Sequence, residues 1–105
     1  MARKSKKMIR EELLAQLEEK GTTKSYYIDL VDDYMAFLDI KNNLIKDIKT
    51  RGEMVEWQNG EKQKGVKKND SVVELPKVNK QMLMILRELG LRAVDNIEDD
   101  ELMEL

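Results

Sequence analysis

Between Gly21 and Gly52 the chain carries an apolar stripe whose period fits only one kind of secondary structure. The spacing of three and four residues, interrupted only at Lys41, predicts an α-helix. Thr22 or Thr23 is expected to cap its start and Gly52 to follow its end. A helix of about 27 residues is about 40 Å long. Such a length exceeds the needs of a small core and predicts packing against a long partner helix. The stripe consists of Tyr27, Leu30, Tyr34, Phe37, Leu44 and Ile48, widened by Val31, Met35, Leu38 and Ile45.

A shorter helix is predicted over about residues 7–20, where Leu13 and Leu17 recur at helical spacing and Gly21 suits a positive φ at the end. A third helix is predicted before Gly90, with Asn69 or Asp70 as its cap. Pro76 either kinks this helix or marks a later first turn. The apolar stripe of the third helix consists of Leu75, Val78, Met82, Ile85 and Leu89.

The helical period is lost between residues 53 and 69. Val55 and Trp57 alternate with charged residues, and Asn59-Gly60 is typical of a turn, so a short β-hairpin and a mobile loop both fit. Trp57 is expected either to anchor this segment against the helices or to form part of a subunit contact. The predicted fold is therefore mainly α: a long antiparallel helix pair, a shorter N-terminal helix, and a small β-hairpin or loop between the long helices.

The amount of apolar material limits the core. The 105 residues include one Trp, one Phe and three Tyr, so aliphatic side chains and seven Met must supply most of the packing. A single modest domain of this size would gain stability from self-association. We expect a basic N-terminal tail over residues 1–6, a helical oligomerisation domain over 7–91, and an acidic C-terminal tail over 92–105.

The net charge of −2 conceals opposite characters at the two ends. Residues 1–10 hold five basic side chains and no acid, whereas residues 95–105 hold six acids and no base. The basic start lacks the apolar stretch of a secretory signal, and the longest apolar run, Met82 to Leu86, is too short for a membrane span. A soluble intracellular protein without a membrane partner is expected.

The sequence contains parts of catalytic motifs but no complete one. The chain has no Cys and no His, which disfavours a zinc site. Gly60 and Gly65 match the outer glycines of a phosphate-binding loop, but the Lys-Ser/Thr pair that such a loop requires does not follow. Asp39-Ile-Lys41 and Asp47-Ile-Lys49 echo the carboxylate and lysine of some nucleases, yet both fall on the predicted long helix. We expect no enzymatic activity, no cofactor and no metal.

Two basic groups are candidate DNA contacts. Lysine and arginine side chains neutralise phosphates whatever the base sequence, and Lys without Arg in the second group favours backbone attraction over base reading. A solvated tail and a solvated turn are the alternatives. Repetition of weak patches in a ring would multiply their effect. The first group is Arg3, Lys4, Lys6, Lys7 and Arg10; the second is Lys62, Lys64, Lys67 and Lys68.

Four segments together resemble the compact small-subunit family of phage DNA-packaging terminases. They are Tyr34-Met-Ala-Phe-Leu-Asp-Ile40, Lys49-Thr-Arg-Gly52, the polar loop from Asn59 to Asp70, and Met82-Leu-Met-Ile-Leu-Arg-Glu-Leu-Gly-Leu91. The family typically shows a long helix, a glycine-bearing polar loop and a helix that ends in a Leu-Gly-Leu turn. The likeness spans roughly residues 26–91.

The resemblance implies a non-catalytic protein that binds double-stranded phage DNA, forms a homo-oligomer and regulates a large subunit, in the cytoplasm of the bacterial host. It also implies the large terminase subunit as a partner of the acidic tail, whose candidate contacts are Asp99, Asp100, Glu101, Leu102 and Leu105. A solubilising tail is the alternative interpretation. The competing function is an oligomeric helical adaptor or scaffold that binds only protein.

Overall fold

A computed structural model describes residues 5–91, in which three helices and one hairpin follow each other along the chain. The elements are α1 (Lys6–Glu19), α2 (Ser25–Arg51), β1 (Met54–Asn59), β2 (Gln63–Lys68) and α3 (Asp70–Glu88). The expectation of a mainly helical fold with a small hairpin between helices is confirmed. Some of the candidate site residues lie outside the described residues: Arg3, Lys4, Asp99, Asp100, Glu101, Leu102 and Leu105.

Helix α1 is closed at both ends by local hydrogen bonds. Ser5 Oγ accepts a hydrogen bond from the Met8 amide at 3.2 Å, which caps the helix and makes Lys6 its first residue. At the other end Gly21 adopts a φ of +74°, as expected. Thr22, considered as a cap for α2, instead donates its hydroxyl to the Leu17 carbonyl of α1. Its side chain therefore terminates the first helix.

Helix α2 and the hairpin follow the sequence pattern closely. The helix has 27 residues and ends just before Gly52, whose φ is +85°. The segment after it is an antiparallel hairpin rather than a loop, with Met54 opposite Lys68 and Trp57 opposite Gly65. Residues 60–62 form the turn, in which Gly60 has a φ of +82°. Only glycine adopts that conformation without steric cost.

Helix α3 begins at the predicted cap. Asn69 Oδ1 accepts a hydrogen bond from the Ser71 amide at 2.9 Å. Pro76 lies inside the helix and does not mark its first turn. Because proline has no amide hydrogen, the Val72 carbonyl lacks its usual helical donor. The helix is closed by Gly90, with a φ of +72°, as the sequence predicts.

The described residues divide into two units, and the first comprises residues 5–36 and 82–91. Val31, expected at the flank of the long stripe, has no exposed surface, whereas Tyr27, Leu30 and Tyr34 are half-buried around it. The buried side of α2 is therefore centred on Val31 and not on the predicted line through Leu30 and Tyr34. The reason is that α1 and α3 both supply side chains to this core. The core consists of Leu13, Leu17, Val31, Leu89 and Leu91.

The second unit, Phe37–Gln81, buries little apolar surface. Within it Val78 is the apolar side chain that is buried, whereas Phe37, Leu44 and Ile48 of the predicted stripe are half-buried. Hydrogen bonds around Asp47 and Asn69 also connect residues of this unit. In the part of the chain that the structure describes, no helix is long and apolar enough to cross a membrane.

Candidate nucleic-acid interface

The hairpin register separates its lysines between two faces. Cross-strand partners share a face and alternate residues share it too. Lys64 and Lys68, opposite Gln58 and Met54, therefore lie on one face. Lys67, opposite Val55, lies on the other face, together with Trp57. Lys62 lies in the turn. The second predicted basic group thus presents charge in more than one direction.

These lysines differ in how far they are already compensated. Lys67 Nζ lies 3.4 Å from Asp70 Oδ2, at the first residue of α3. Lys62, Lys64 and Lys68 are exposed. An exposed ion pair of this kind contributes little to stability and leaves the lysine able to exchange partners. The best placed cations for phosphate contact are therefore those of the turn and of the Lys64 face.

The described members of the first basic group, Lys6, Lys7 and Arg10, lie in the other unit. Lys6 and Lys7 are exposed in the first turn of α1. Arg10 Nε and Nη2 both donate to Asp32 Oδ1, at 3.3 Å and 3.2 Å. Asp32 comes from α2, far along the chain, so the sequence pattern did not reveal this pairing. It offsets the charge of Arg10 and makes Arg10 a weaker candidate for DNA contact.

The structure also reveals basic residues that the sequence analysis did not select. Residues Phe37–Gln81 contain ten Lys and Arg and seven Asp and Glu, a net charge of +3. Residues 5–36 and 82–91 contain six Lys and Arg and eight Asp and Glu, a net charge of −2. Counting charge over these ranges would have exposed the contrast, but only the fold identifies them as units. The additional exposed lysines in the basic unit are Lys46, Lys49, Lys77 and Lys80.

A polar network joins the base of the hairpin to both flanking helices. Asp47 Oδ2 accepts hydrogen bonds from Ser71 Oγ at 2.6 Å, Arg51 Nη2 at 2.9 Å and Asn69 Nδ2 at 3.0 Å. The side-chain Nδ2 of Asn69 also donates to the Gly52 carbonyl. The backbone N–H of Asn69 donates to the Glu53 carbonyl at 2.7 Å. The two chain segments that lead into and out of the hairpin are thereby held together.

The hydrogen bonds of this network favour the charged form of Asp47. Arg51, Ser71 and Asn69 all donate to the same carboxylate, and they hold the pKa of Asp47 well below its usual range. Asp47 was one of two acids that echo a nuclease motif, and its oxygens are occupied by these structural contacts. Within residues 5–91 no group of three or more acidic, His or Cys side chains is placed to hold a metal ion.

The two glycines that suggest a phosphate-binding loop have other roles in the hairpin. Gly60 forms the turn. Gly65 lies beneath Trp57: a Cβ at this position would come within 3.0 Å of the indole Nε1. Trp57 remains 40% exposed and thus lies at the surface of the hairpin. The Trp57 side chain packs against the opposing strand, and whether it also forms a subunit contact stays a prediction.

Together these features define a small, mainly helical protein with a lysine-bearing β-hairpin fixed between two helices. This class agrees with the comparison to protein families, in which the profile of the phage terminase small subunit matches residues 7–96. The chain belongs to that family. No curated protein and no solved structure matches it significantly.

Proposed function

We propose that this small terminase subunit binds double-stranded phage DNA chiefly through its hairpin unit, self-associates, and regulates the large subunit in the cytoplasm of the bacterial host. The observation that carries the proposal is the charge contrast: residues Phe37–Gln81 hold a net +3 within a chain whose total is −2. Family membership supports the packaging role. The chain performs no chemistry in this scheme, because ATP hydrolysis and DNA cleavage belong to the large subunit.

The hairpin suits contact with a duplex backbone. Lys64 and Lys68 share one face, four residues apart on a strand, a separation of roughly 13 Å. That distance covers about four base steps along one strand of a duplex. A two-stranded ribbon also matches the width of the major groove. Lysine supplies point charges rather than the bidentate fork of arginine, which favours phosphate contact over base reading.

Self-association is supported by apolar surface that a single copy leaves uncovered. Phe37, Leu44 and Ile48 of α2 are only half-buried, and Leu83 of α3 is 60% exposed. We further propose that α2 and α3 pair antiparallel along their length, as the matching stripes predict. The contact between Lys41 Nζ and Asn79 Oδ1 at 3.3 Å supports this pairing. Repeated copies would present several hairpins to one DNA molecule.

The acidic C-terminal tail is proposed as the contact for the large subunit. It holds six acids and no base over residues 95–105, with apolar side chains among them. A segment of this composition docks on a basic surface by charge complementarity. Asp99, Asp100 and Glu101 are its most concentrated charges, and Leu102 and Leu105 supply apolar contacts.

The experiment that tests DNA binding is a gel shift with duplex DNA over a salt series. Lys64→Ala with Lys68→Ala is expected to weaken binding and to reduce the slope of log affinity against log salt by about 1.8, because two phosphate contacts are lost. Lys24→Ala, an exposed lysine of the other unit, serves as the matched control and is expected to bind as the wild type does. A second arm, Lys6→Ala with Lys7→Ala, measures the N-terminal group separately.

The alternative is a helical adaptor that binds only protein. The ion pairs of Arg10 with Asp32 and of Lys67 with Asp70 favour it, because they reduce the basic surface available to DNA. Absence of any shift with duplex DNA at low salt, with assembly retained by native mass spectrometry, would replace the proposed DNA role with the adaptor role. A stable monomer at micromolar concentration would argue against both.

A further inference from the structure

The sole tryptophan of the chain occupies an unusual position for an aromatic side chain of its size. Trp57 lies on an exposed hairpin and not in the core, and it retains 40% of its surface. An aromatic ring left at the surface loses the free energy that burial would supply. The exposed part of the ring is available for contact with a ligand.

The indole ring of Trp57 is nevertheless held in place. It rests over Gly65, where a Cβ would lie 3.0 Å from Nε1 and 3.2 Å from Cε2 and Cζ2. Only glycine permits this close approach of the ring to the opposing strand. The ring is thus supported on one side by the backbone at Gly65 and remains partly exposed to solvent.

The neighbours of Trp57 are cationic and amide side chains. Lys67 shares its face of the hairpin, and Asn59 and Gln63 continue that face toward the turn. An open groove is lined by Trp57 and Gly65 and also by Lys64 and Glu56, which belong to the opposite face of the hairpin. Between Met54 and Lys68 the hairpin holds four Lys and two Glu, a net charge of +2 over its two faces and its turn.

We propose that the hairpin binds an unpaired nucleobase of single-stranded DNA by stacking it on Trp57, while Lys67, on the same face of the hairpin, contacts an adjacent phosphate. A supported aromatic ring among cations is the arrangement with which proteins hold single strands, since every base has a face that stacks. Contact between two copies through this surface is disfavoured, because it would bring their lysines together. The inference rests on the proposed DNA-binding function and adds a preference for unpaired bases.

Trp57 itself supplies the readout, because no other tryptophan contributes to the fluorescence of the full chain. Three probes of about 16 nucleotides are titrated at low salt: oligothymidylate, an abasic strand of equal charge, and a blunt duplex. Oligothymidylate is expected to quench the emission and to bind about tenfold more tightly than the abasic strand. Equal affinity and equal quenching by these two strands would overturn the proposal.

Variants separate stacking from charge, with affinity followed by anisotropy of a labelled strand. Trp57→Ala is expected to abolish the preference for oligothymidylate over the abasic strand, whereas Trp57→Phe, which retains a ring, keeps most of it. Glu56→Gln removes an acid from the groove and is expected to tighten binding of both strands alike. If Trp57→Phe and Trp57→Ala behave identically while circular dichroism shows folded protein, stacking is not the mode of binding.

The outcomes also separate this inference from the proposed function. Lysine-dependent duplex binding without any preference for bases would leave the proposed function standing and remove the inference. Emission that shifts to the blue as protein concentration rises, without DNA, would assign Trp57 to a contact between copies and likewise remove it. Failure of all three probes to bind would overturn both.

Discussion

Asn69 has no exposed surface, and both polar atoms of its amide are fully used. Oδ1 accepts from the Ser71 amide and from Arg51 Nη2 at 3.1 Å, and Nδ2 donates to Asp47 and to the Gly52 carbonyl. Two donors and two accepted bonds exhaust what an asparagine side chain offers. This residue therefore caps α3 and ties the hairpin base to α2 at the same time.

Asn69→Ala is expected to destabilise the protein by about 3 kcal/mol, because it removes the cap and leaves several part-buried groups without a partner. Urea unfolding followed by circular dichroism measures the loss. The matched control is Asn79→Ala, on the helix that Asn69 caps. It removes only an exposed hydrogen bond from Lys41 of α2, with an expected change below about 0.5 kcal/mol. Equal effects of the two substitutions would show that the network does not support the fold.

Asp47 makes the stability of the protein sensitive to acid. Hydrogen bonds from Arg51, Ser71 and Asn69 lower its pKa in the folded state, whereas the unfolded chain restores the usual value. The carboxylate therefore stabilises the fold above about pH 4, and this contribution is lost as the pH falls further toward the folded-state pKa.

Asp47→Asn is accordingly expected to be less stable than the wild type near neutral pH, and the difference is expected to shrink as the pH falls below about 4. Urea midpoints measured over a pH series test this. Asp33→Asn changes an exposed acid of the same helix and serves as the control, with an expected effect below about 0.5 kcal/mol near neutral pH. A difference between Asp47→Asn and the wild type that stays constant with pH would contradict the assignment.

At the scale of elements, the hairpin depends on its turn and on its base. A two-stranded sheet alone is marginally stable in water. Here the base is tied by the Asn69 bonds to residues 52 and 53, and the turn relies on Gly60 at a φ of +82°. Each of the three helices likewise ends before a glycine with a positive φ: Gly21, Gly52 and Gly90.

Gly60→Ala is expected to destabilise the hairpin by about 1 kcal/mol through backbone strain alone, since open space surrounds the added Cβ. Gly60→Asn should cost less, because asparagine tolerates the left-handed region. Hydrogen exchange at the amides of β1 and β2 reports the local loss. An alanine variant as protected as the asparagine variant would show that the turn does not require this conformation.

At the scale of the whole molecule, charge and apolar surface are unevenly distributed. The described part of the chain has a basic unit with little buried apolar surface and an acidic unit that holds the core cluster. Exposed aliphatic side chains such as Leu83 and Met84 belong to the acidic unit. This uneven burial is the reason for the proposal that the protein self-associates.

Leu83→Lys is expected to shift the protein from an assembled state to monomers while leaving its helix content unchanged, because the side chain is exposed in the single copy. Native mass spectrometry and circular dichroism measure the two properties. Gln81→Lys adds the same charge at an exposed polar position of α3 and should remain assembled. Assembly that survives Leu83→Lys would place the contact elsewhere on the molecule.

The ends of the elements were predictable from sequence because they depend on neighbours a few residues away. Gly21, Gly52 and Gly90 close the three helices as expected, and the hairpin turn begins at Gly60, directly after Asn59. Spacing also identified the apolar faces, since helical period is a local property. The family resemblance, carried by such local segments, was confirmed by the match over residues 7–96.

Tertiary structure alone decided which of those side chains and charges act together. Val31 rather than Tyr27 or Tyr34 is fully buried, because the packing of α1 and α3 selects the centre of the stripe. Asp32 pairs with Arg10, and Asp47 meets Asn69 and Ser71, across separations of more than 20 residues. Such contacts form only when folding closes long loops, so they follow from chain topology, which local residue spacing does not encode.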